Sequence, residues 1–401
     1  MLKPFAMLRG KEVAFNTTIN IGLSPNLRRE DSFLALKLLF QPWKWKKGKA
    51  TVKLENWFKK YTGMENVKSF NSGRSAEYEI LKAFGIGDGD EVLLQAFTCV
   101  AVPNSVLWTG AIPVYVDIDQ SLTMDPADLE KKITRKSKAV IVQHTFGQLA
   151  QLDKICLIAK KHGLIVIEDC AHTIKKEIQG DAAFFSFGRD KAVSSVFGGV
   201  GAIKKELASL GDFGNLGEPS YFWIFQQLLH PVVMAIILPL YNWANLGKFL
   251  LFGLQKLKLL SFPVYPEEKR GVRSNNFPAK MPNALAELAL AQLGKLGEFE
   301  EKRKGISEIY EKELPHFARQ VGGLRGAREG LLRYSIFVKK PDELRKFAKF
   351  RGIILGNWYS NIIDPRGTDF EKIGYRLGSC PKAEEIAKKI SKCGDIAYMM
   401  L

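Results

Sequence analysis

Short apolar runs alternate with amphipathic stretches between residues 61 and 204. The runs predicted as strands are Val67–Phe70, Glu91–Leu94, Ile112–Val116, Ala139–Gln143, Leu164–Glu168, Ala182–Phe185 and Gly201–Ile203. The helices predicted from apolar spacing are Ser75–Phe84, Ala101–Thr109 and Leu152–His162. Strands that alternate with helices are typical of a mainly parallel sheet covered on both faces. We therefore expect a large α/β domain over residues 61–204.

The alternation breaks after residue 204. No Lys, Arg, Asp or Glu occurs between Glu218 and Lys248, and a basic apolar stretch continues to Leu260. We interpret residues 205–270 as a hydrophobic helical insertion. Residues 1–60 are interpreted as an N-terminal arm, and residues 271–401 as a linking helix and a small C-terminal α/β domain. The elements predicted in that last part are a helix from Asn283 past Arg303, strand Tyr334–Val338, helix Pro341–Phe350, strand Gly352–Leu355 and helix Ala383–Lys392.

The insertion is open to two interpretations. Its length would suffice to cross a bilayer, but Pro231, Pro239 and three polar side chains interrupt the apolar stretch. Its tryptophans and lysines suit a membrane interface. We therefore hypothesise that residues 219–262 form a monotopic or re-entrant helical pair at a membrane, with the Trp-Lys run at 43–49 adding to it. The alternative is a hairpin packed against the protein or in an oligomer interface.

The amino-acid composition indicates which class of partner and which cellular compartment to expect. Lys and Arg number 59 against 42 Asp and Glu, a formal charge of +17 that favours anionic partners. No recognition motif accompanies this charge, so we expect no nucleic-acid partner. The five cysteines include no C-x-x-C, which suits a reducing cytoplasm, and the five histidines lack metal-binding spacing, so we predict no metal. We expect a cytoplasmic protein that is peripheral or monotopic at the inner face of the cell membrane.

Three segments should converge at the carboxyl ends of the strands, where open parallel sheets bind their ligands. The first is residues 71–76, in which Gly73, Arg74 and Ser75 begin a helix. The N–H groups at the start of a helix suit a phosphate group. Small polar residues at such a position also serve as simple helix caps, so this segment alone does not decide between the two roles.

The other two segments carry ionisable side chains. Residues 165–172 end a strand in Asp169, which could pair with a protonated ring nitrogen or cap the next helix. Residues 185–191 contain Ser186 at a strand end and finish in Lys191, just before a glycine cluster. A lysine that is desolvated near cationic groups becomes a nucleophile, whereas a lone loop lysine is commonly a surface residue.

These motifs, in this order, resemble those of the DegT/DnrJ/EryC1/StrS family. The shared pattern is a small-residue turn, then E-D-x-A-H, then S-F-x-x-x-K with glycines. Further segments that resemble the family are Phe84–Val92, Gln95–Thr98, His144–Gln148, Met281–Leu293 and Cys380–Glu385. The family comprises sugar aminotransferases of the type I pyridoxal-phosphate fold. The resemblance covers about residues 52–400 without the insertion.

The resemblance implies pyridoxal 5'-phosphate (PLP) as the cofactor and assigns its contacts. The catalytic residues it implies are Lys191, which would hold the aldehyde as a Schiff base, Asp169 at the pyridine nitrogen and His172 near the ring oxygen. Phe97 would stack on the ring or, alternatively, serve only core packing. The residues implied at the phosphate are Gly73, Arg74, Ser75 and Ser186.

The resemblance also implies a reaction and a partner subunit. An amino group, from glutamate, would pass to a keto sugar, typically nucleotide-linked, in the biosynthesis of a surface polysaccharide or glycan. Lys191 stands where a class of dehydrating relatives has histidine, so transamination is preferred over a PLP-dependent sugar dehydrase or lyase. A membrane-bound, non-catalytic regulator is the remaining alternative. The family acts as a homodimer, but its N-Y-R motif, which reaches the partner's phosphate site, reads Pro278-Ala-Lys280 here.

Overall fold

The computed structural model describes residues 19–20, 24–210, 213–241, 243, 245–313, 319–320, 331–337, 341–350, 353–356, 359, 361–388 and 396–400. Its strands are β1 (Ile19–Asn20), β2 (Asn66–Phe70), β3 (Glu91–Gln95), β4 (Thr98–Cys99), β5 (Ile112–Val116), β6 (Ser137–Gln143), β7 (Ile165–Cys170), β8 (Ala182–Ser186), β9 (Gly199–Ile203), β10 (Arg319–Gln320), β11 (Arg333–Phe337), β12 (Ile353–Ile354), β13 (Ile363–Asp364) and β14 (Ile396–Met400). Its α-helices are α1 (Arg29–Leu39), α2 (Trp43–Lys46), α3 (Ala50–Thr62), α4 (Gly73–Ala83), α5 (Ala101–Trp108), α6 (Pro126–Lys132), α7 (Leu152–His162), α8 (Tyr221–Leu240), α9 (Leu246–Lys256), α10 (Asn283–Leu293), α11 (Leu296–Glu313), α12 (Pro341–Phe350) and α13 (Pro381–Lys388).

A seven-stranded sheet forms the centre, in the order β2-β9-β8-β7-β6-β3-β5. Strand β9 is antiparallel to both β2 and β8, and the other neighbours are parallel. Strands β2, β7 and β8 therefore point the same way, and their carboxyl ends meet at one edge of the sheet. The predicted α/β class with a mainly parallel sheet is confirmed.

Neighbouring residues of each strand pack into different cores. On β3, Val92 and Leu94 pack with α4 and α5, whereas Leu93 faces α6 and α7. On β8, Phe184 joins the first of these cores and Phe185 joins a third, built with α3, α8 and α10. Helices thus cover both faces, which explains why the strands are continuous apolar runs instead of an alternation of apolar and polar residues.

The described part of the N-terminal arm from residue 24 to residue 60 is largely helical, which the sequence interpretation missed. Helix α3 buries Leu54 and Phe58, spaced four residues apart, and ends at Gly63 with a positive φ of 73°. The Ala50 N–H donates to the side chain of Asn283 at 2.9 Å, which ties the start of α3 to α10. These helices complete the core on which the Lys191 loop rests.

The first half of helix α8 belongs to the same core. Trp223, Ile224 and Leu228 are buried together with Phe185 and residues of α1 and α10. Among the described residues, α8 is the only helix with the length and hydropathy to cross a bilayer, and over half of it is buried inside the protein. Its first half therefore stabilises the fold of the domain. The boundaries at residues 205 and 270 stay predictions.

The C-terminal elements agree with the expected order but differ in detail. The long helix predicted from Asn283 is observed as two helices, α10 and α11, because the helix is interrupted at Gly294. Strand β11 pairs antiparallel with β10 and β14. Some ends of the predicted elements, at positions 338, 352 and 389–392, lie outside the described residues.

Candidate active site

Two glycines bring the start of α4 against the end of β8. A Cβ atom built on Gly73 would lie 2.8 Å from the Cβ of Ser186, closer than side chains approach. A Cβ on Gly199 would lie 2.6 Å from the backbone nitrogen of Gly73. Residues separated by over a hundred positions in sequence therefore touch here because neither glycine carries a side chain.

The first turn of α4 leaves two amides for a ligand. Ser72 caps the helix, and its Oγ accepts from the Ser75 N–H at 3.2 Å. The N–H groups of Gly73 and Arg74, at the first two helical positions, have no acceptor within the helix. Ser75 was predicted at the phosphate, but its amide is held by the cap and its hydroxyl donates to Asn71 Oδ1 at 2.7 Å.

The side chain of Arg74 points away from Ser186. Its guanidinium forms an ion pair with buried Glu268, donates to the Pro263 carbonyl at 2.7 Å and lies 4.7 Å from the centre of the Phe277 ring. Only the backbone amide of Arg74 is therefore available at the start of α4. The side chain instead contacts the end of the insertion, at Pro263 and Glu268, and Phe277 just after it.

Asp169 lies at the carboxyl end of β7 and is 2% exposed. Its Oδ1 accepts from the Ala171 N–H at 2.8 Å. Burial raises the pKa of the carboxyl group to about 6, although the Ala171 amide and the charge of Lys191 act in the opposite direction. A second cation close to this carboxylate would stabilise its charged form.

His172 presents a hydrogen-bond donor that has no acceptor among the described residues. Its Nδ1 accepts from the Phe146 N–H at 3.1 Å, so the proton of the neutral ring lies on Nε2. That Nε2 atom is buried and has no hydrogen-bond partner in the described part of the chain. Burial, together with the charges of Lys191 and Arg333, holds the pKa of His172 well below its usual value. A buried donor without an acceptor indicates a place for a ligand oxygen.

Lys191 lies on the loop after β8, and its charge acts on both side chains. It is among the causes of the pKa shifts of Asp169 and His172, so the three side chains form one cluster, the Lys191 cluster. The loop is fixed from outside, because Asn26 Nδ2 donates to the carbonyl oxygens of Lys191 and Ala192 at 2.6 and 3.1 Å. No local sequence motif marked Asn26.

Phe97 is fully buried beside this cluster and has a positive φ of 64°. Such a backbone conformation is costly for a bulky residue and is concentrated at functional sites. The ring makes edge contacts with Tyr359 at 5.3 Å and Phe146 at 6.4 Å between centroids. Phe146 in turn stacks on the His172 ring at 5.5 Å.

Two arginines that the sequence interpretation missed hold the Lys191 loop, Arg333 from outside the loop and Arg189 from within it. Arg333 of β11 lies 3.2 Å from Asp190 Oδ2 and places its guanidinium 5.6 Å from the centre of the Phe146 ring. Buried Arg189 donates to the Ser261 carbonyl and hydroxyl oxygens at 2.7 and 2.6 Å. Arg333 is far from Asp190 in sequence, and Arg189 is far from Ser261, so only the fold could identify these contacts.

One group in the described residues has the donor types of a metal site, formed by His144, Glu168 and Cys170. Glu168 is already saturated: its oxygens accept from His144 Nε2, Lys175 Nζ and the amides of Gln179 and Gly180 at 2.6–3.0 Å. The ammonium of Lys175 supplies the positive charge there. We interpret the group as a buried network that fixes the end of β7.

Replacing Gly199 by alanine is expected to destabilise the protein by about 2 kcal/mol, because the added methyl group forces β9 away from α4. The measurement is the free energy of unfolding from urea denaturation. Gly297→Ala is the matched control, since a Cβ there meets nothing within 4 Å and alanine favours the helix. Equal stability of Gly199→Ala and the wild type would contradict the close contact.

Part of this chain is similar to a known family of proteins. Residues 27–208, which contain all of the predicted site residues, match the model of the DegT/DnrJ/EryC1/StrS aminotransferase family. Over this region, a little under half of its length, the chain is similar to the DegT/DnrJ/EryC1/StrS family. The members are PLP-dependent aminotransferases, as the sequence motifs led us to expect.

Individual relatives match different lengths of the chain. GDP-perosamine synthase of Caulobacter vibrioides is 35% identical over 185 residues, 44% of this chain and 50% of that protein. The pleiotropic regulatory protein of Geobacillus stearothermophilus is 28% identical over 361 residues, 85% of this chain and 83% of the relative. The chain thus spans about half the length of the first relative and most of the second.

Solved structures agree on the fold. A DegT/DnrJ/EryC1/StrS aminotransferase from Brucella abortus superposes with a TM-score of 0.66 at 20% identity, covering 96% of this chain and 93% of that one. NtdA from Bacillus subtilis, with bound pyridoxamine phosphate, gives a TM-score of 0.65 at 20% identity and covers 98% and 82%. The similarity therefore includes the C-terminal elements beyond residue 208.

Proposed function

We propose that this chain is a PLP-dependent aminotransferase that transfers an amino group to a keto sugar, with glutamate as the donor. The observation that carries the proposal is the Lys191 cluster, in which an amine, a buried carboxylate and an unpartnered histidine donor lie at the strand ends. The match of residues 27–208 to the model of this aminotransferase family supports the reaction type. The name of the Caulobacter relative supports a nucleotide-linked sugar. A role in surface polysaccharide or glycan biosynthesis rests on the family resemblance.

The residues present fit PLP. Asp169 would hold a protonated ring nitrogen, and His172 Nε2 would donate to the ring oxygen. The amides of Gly73 and Arg74, with the hydroxyl of Ser186, would hold the phosphate at the positive end of the α4 dipole. Phe97 would lie against the ring. Bound PLP supplies an aldehyde that accepts an amino group and a cationic ring that withdraws electrons.

The protein's own contribution is proton handling and positioning. Lys191 would hold the cofactor and, once its amine is free again, would move a proton between the two carbons that flank the transferred nitrogen. The Asn26 contacts restrain the loop backbone while the lysine side chain stays free to move. His172, kept neutral by burial, would donate a hydrogen bond without adding a second charge. Helices α1, α3 and α8 would exclude water from the far side of the loop.

The expected result of product analysis is nitrogen transfer that requires glutamate. The purified protein with PLP, nitrogen-15-labelled glutamate and a panel of nucleotide-linked keto sugars should place the label in the sugar. The measurement is mass spectrometry of the sugar product. A product that has lost a hydroxyl group and carries no label would instead indicate the dehydrase or lyase. No product with any sugar, despite bound PLP, would favour the regulator, which the name of the Geobacillus relative suggests.

We also propose that the enzyme works as a homodimer in the cytoplasm and contacts the inner face of the membrane through residues 219–262. The dimer rests on the family resemblance. The segment Pro278-Ala-Lys280, at the position of the family's N-Y-R motif, is tied to its own subunit, because the Ala279 carbonyl accepts from the Asn71 N–H at 2.9 Å. The carbonyl of Asn276, just before this segment, accepts from Asn71 Nδ2 at 2.7 Å. Light scattering on the purified protein measures the subunit number directly.

A further inference from the structure

Helix α1 exposes an apolar stripe on the side opposite its buried face. The buried face consists of Asp31, Ala35 and Leu38, which lie on one side of the helix. On the other side Phe33 and Phe40 are 70% and 75% exposed, and Leu36 lies between them. The outer face of a surface helix is ordinarily polar. The Trp43 side chain, 67% exposed, extends the stripe beyond the end of α1.

Helix α9 has the same arrangement. Leu251 and Leu254 pack towards α8, and Gly247 allows close approach, since a Cβ there would lie 2.5 Å from the Ile237 carbonyl oxygen. On the opposite side Phe249 and Phe252 are 71% and 65% exposed. This helix therefore also presents aromatic rings to the outside.

Both stripes belong to helices that pack on α8. The Ser32 hydroxyl of α1 donates to the Pro231 carbonyl at 3.1 Å, and α9 meets α8 at Ile237. Between these two contacts Ile236 is 53% exposed. The stripes of α1 and α9, with Trp43 and Ile236, are called the aromatic face below.

Most of the aromatic face is carried by segments without acidic residues; the exceptions are Glu30 and Asp31 in the first turn of α1, where Asp31 is buried and Glu30 lies 3.5 Å from Lys295 Nζ. Residues 32–54 and 219–266 together hold nine lysines and neither Asp nor Glu, in a chain with 42 acidic residues. Lysines with exposed side chains, among them Lys37, Lys44 and Lys256, adjoin the rings. Aromatic side chains beside lysines favour the interface of an anionic bilayer. Two copies of such a basic face would repel each other, which argues against self-association here.

We propose that the aromatic face docks the protein flat on an anionic lipid bilayer, with no segment crossing it. This specifies the membrane contact put forward under the proposed function and is independent of the chemistry at Lys191. Helix α8 stays in the protein because its first half is core, and its Gln227 Oε1 accepts from the Ser261 hydroxyl at 2.7 Å. The rings enter the interface while the lysines reach the headgroups.

The test is flotation of the purified full-length protein with two kinds of vesicle. We expect binding to phosphatidylcholine vesicles that contain roughly 30% phosphatidylglycerol, weak binding to pure phosphatidylcholine, and loss of binding at high salt. Replacing Phe40, Phe249 and Phe252 together by serine should lower the partition coefficient at least about tenfold. Leu157→Ser is the matched control, since Leu157 is 70% exposed on α7 and lies outside the aromatic face.

Three results would overturn the proposal. In the first, the wild-type protein does not float with the anionic vesicles. In the second, the triple variant floats as well as the wild type. In the third, neither protein binds lipid, but the wild type is a dimer and the triple variant is a monomer. The last would assign the face to a second copy. The absorption of bound PLP is recorded on the same samples. Retained PLP in every variant separates failure of docking from failure of the proposed chemistry.

Discussion

Lys191→Ala is expected to lower the rate of amino transfer by about a thousandfold or more. The side chain is both the proposed attachment point of PLP and the proposed proton carrier, and loss of a positioned acid–base group alone costs about a hundredfold to ten-thousandfold. The visible absorption band of the bound cofactor should shift or disappear. The measurements are the absorption spectrum and the rate of nitrogen transfer from labelled glutamate.

The matched control for this substitution is Lys160→Ala. Lys160 is an exposed lysine of α7, so its loss removes the same charge without touching the cluster. Both variants should unfold at the wild-type temperature, which excludes loss of the fold as the cause. A Lys191→Ala protein with the wild-type band and rate would show that another amine holds PLP, and the proposed site would have to be abandoned.

The central sheet was predictable because its signals are local. Each parallel strand is buried on both faces and therefore appears as an uninterrupted apolar run, as at Ile112–Val116, where prediction and structure coincide. Helix α7 was likewise predicted with its observed bounds, Leu152–His162, because one stripe of the helix is apolar and the other polar. Where the environment of an element is regular, the sequence pattern is sufficient.

Helix α1 was missed for the opposite reason. Its inner face is buried in the core and its outer stripe is apolar as well, so the period that marks an amphipathic helix is obscured. The same property makes α1 the main element of the aromatic face. A helix that is apolar on both sides yet lies at the surface departs from the usual pattern, and such departures are expected at functional surfaces.

The candidate site was predicted in part. Lys191, Asp169, His172 and the α4 turn carry motif-like spacing, so their residue types could be found in the sequence. The contacts that hold the loop could not. Asn26 meets the Lys191 carbonyl across 165 positions, and Arg333 meets Asp190 across 143. Such pairs follow from how α1 and β11 pack, which no local pattern specifies.

Retention of PLP is expected to weaken as the pH falls through about 6, because Asp169 must be charged to pair with a cationic ring. Burial raises the pKa of this carboxyl group to about 6 in the cofactor-free protein. Below that pH the folded protein holds a neutral acid, which offers no counter-charge. Asp169→Asn lacks the charge at every pH and should retain PLP weakly throughout, with turnover lowered by about a hundredfold.

The raised pKa of Asp169 has the opposite effect on the free energy of unfolding of the cofactor-free protein, which falls as the pH rises. Because folding raises the pKa, the folded state binds the proton more tightly than the unfolded state does. The carboxyl group therefore stabilises the folded protein fully below about pH 4, and this stabilisation is lost as the pH rises through about 6. The loss amounts to about 3 kcal/mol at most. Asp169→Asn should remove this decline, so urea denaturation of the cofactor-free wild type and variant at pH 4.5 and 7.5 measures it.

PLP retention and urea denaturation, each measured on wild type and Asp169→Asn, separate the titration of the Asp169 carboxylate from the titration of PLP. Free PLP titrates identically in both experiments, so the difference between wild type and variant reports Asp169 and its effect on the bound ring. Asp153→Asn, at an exposed acid of α7, is the control and should behave as the wild type in both experiments. The assignment of Asp169 to the ring nitrogen would be wrong if wild type and Asp169→Asn lost PLP with the same pH dependence. A carboxylate buried by the fold but indifferent to the cofactor would then be purely structural.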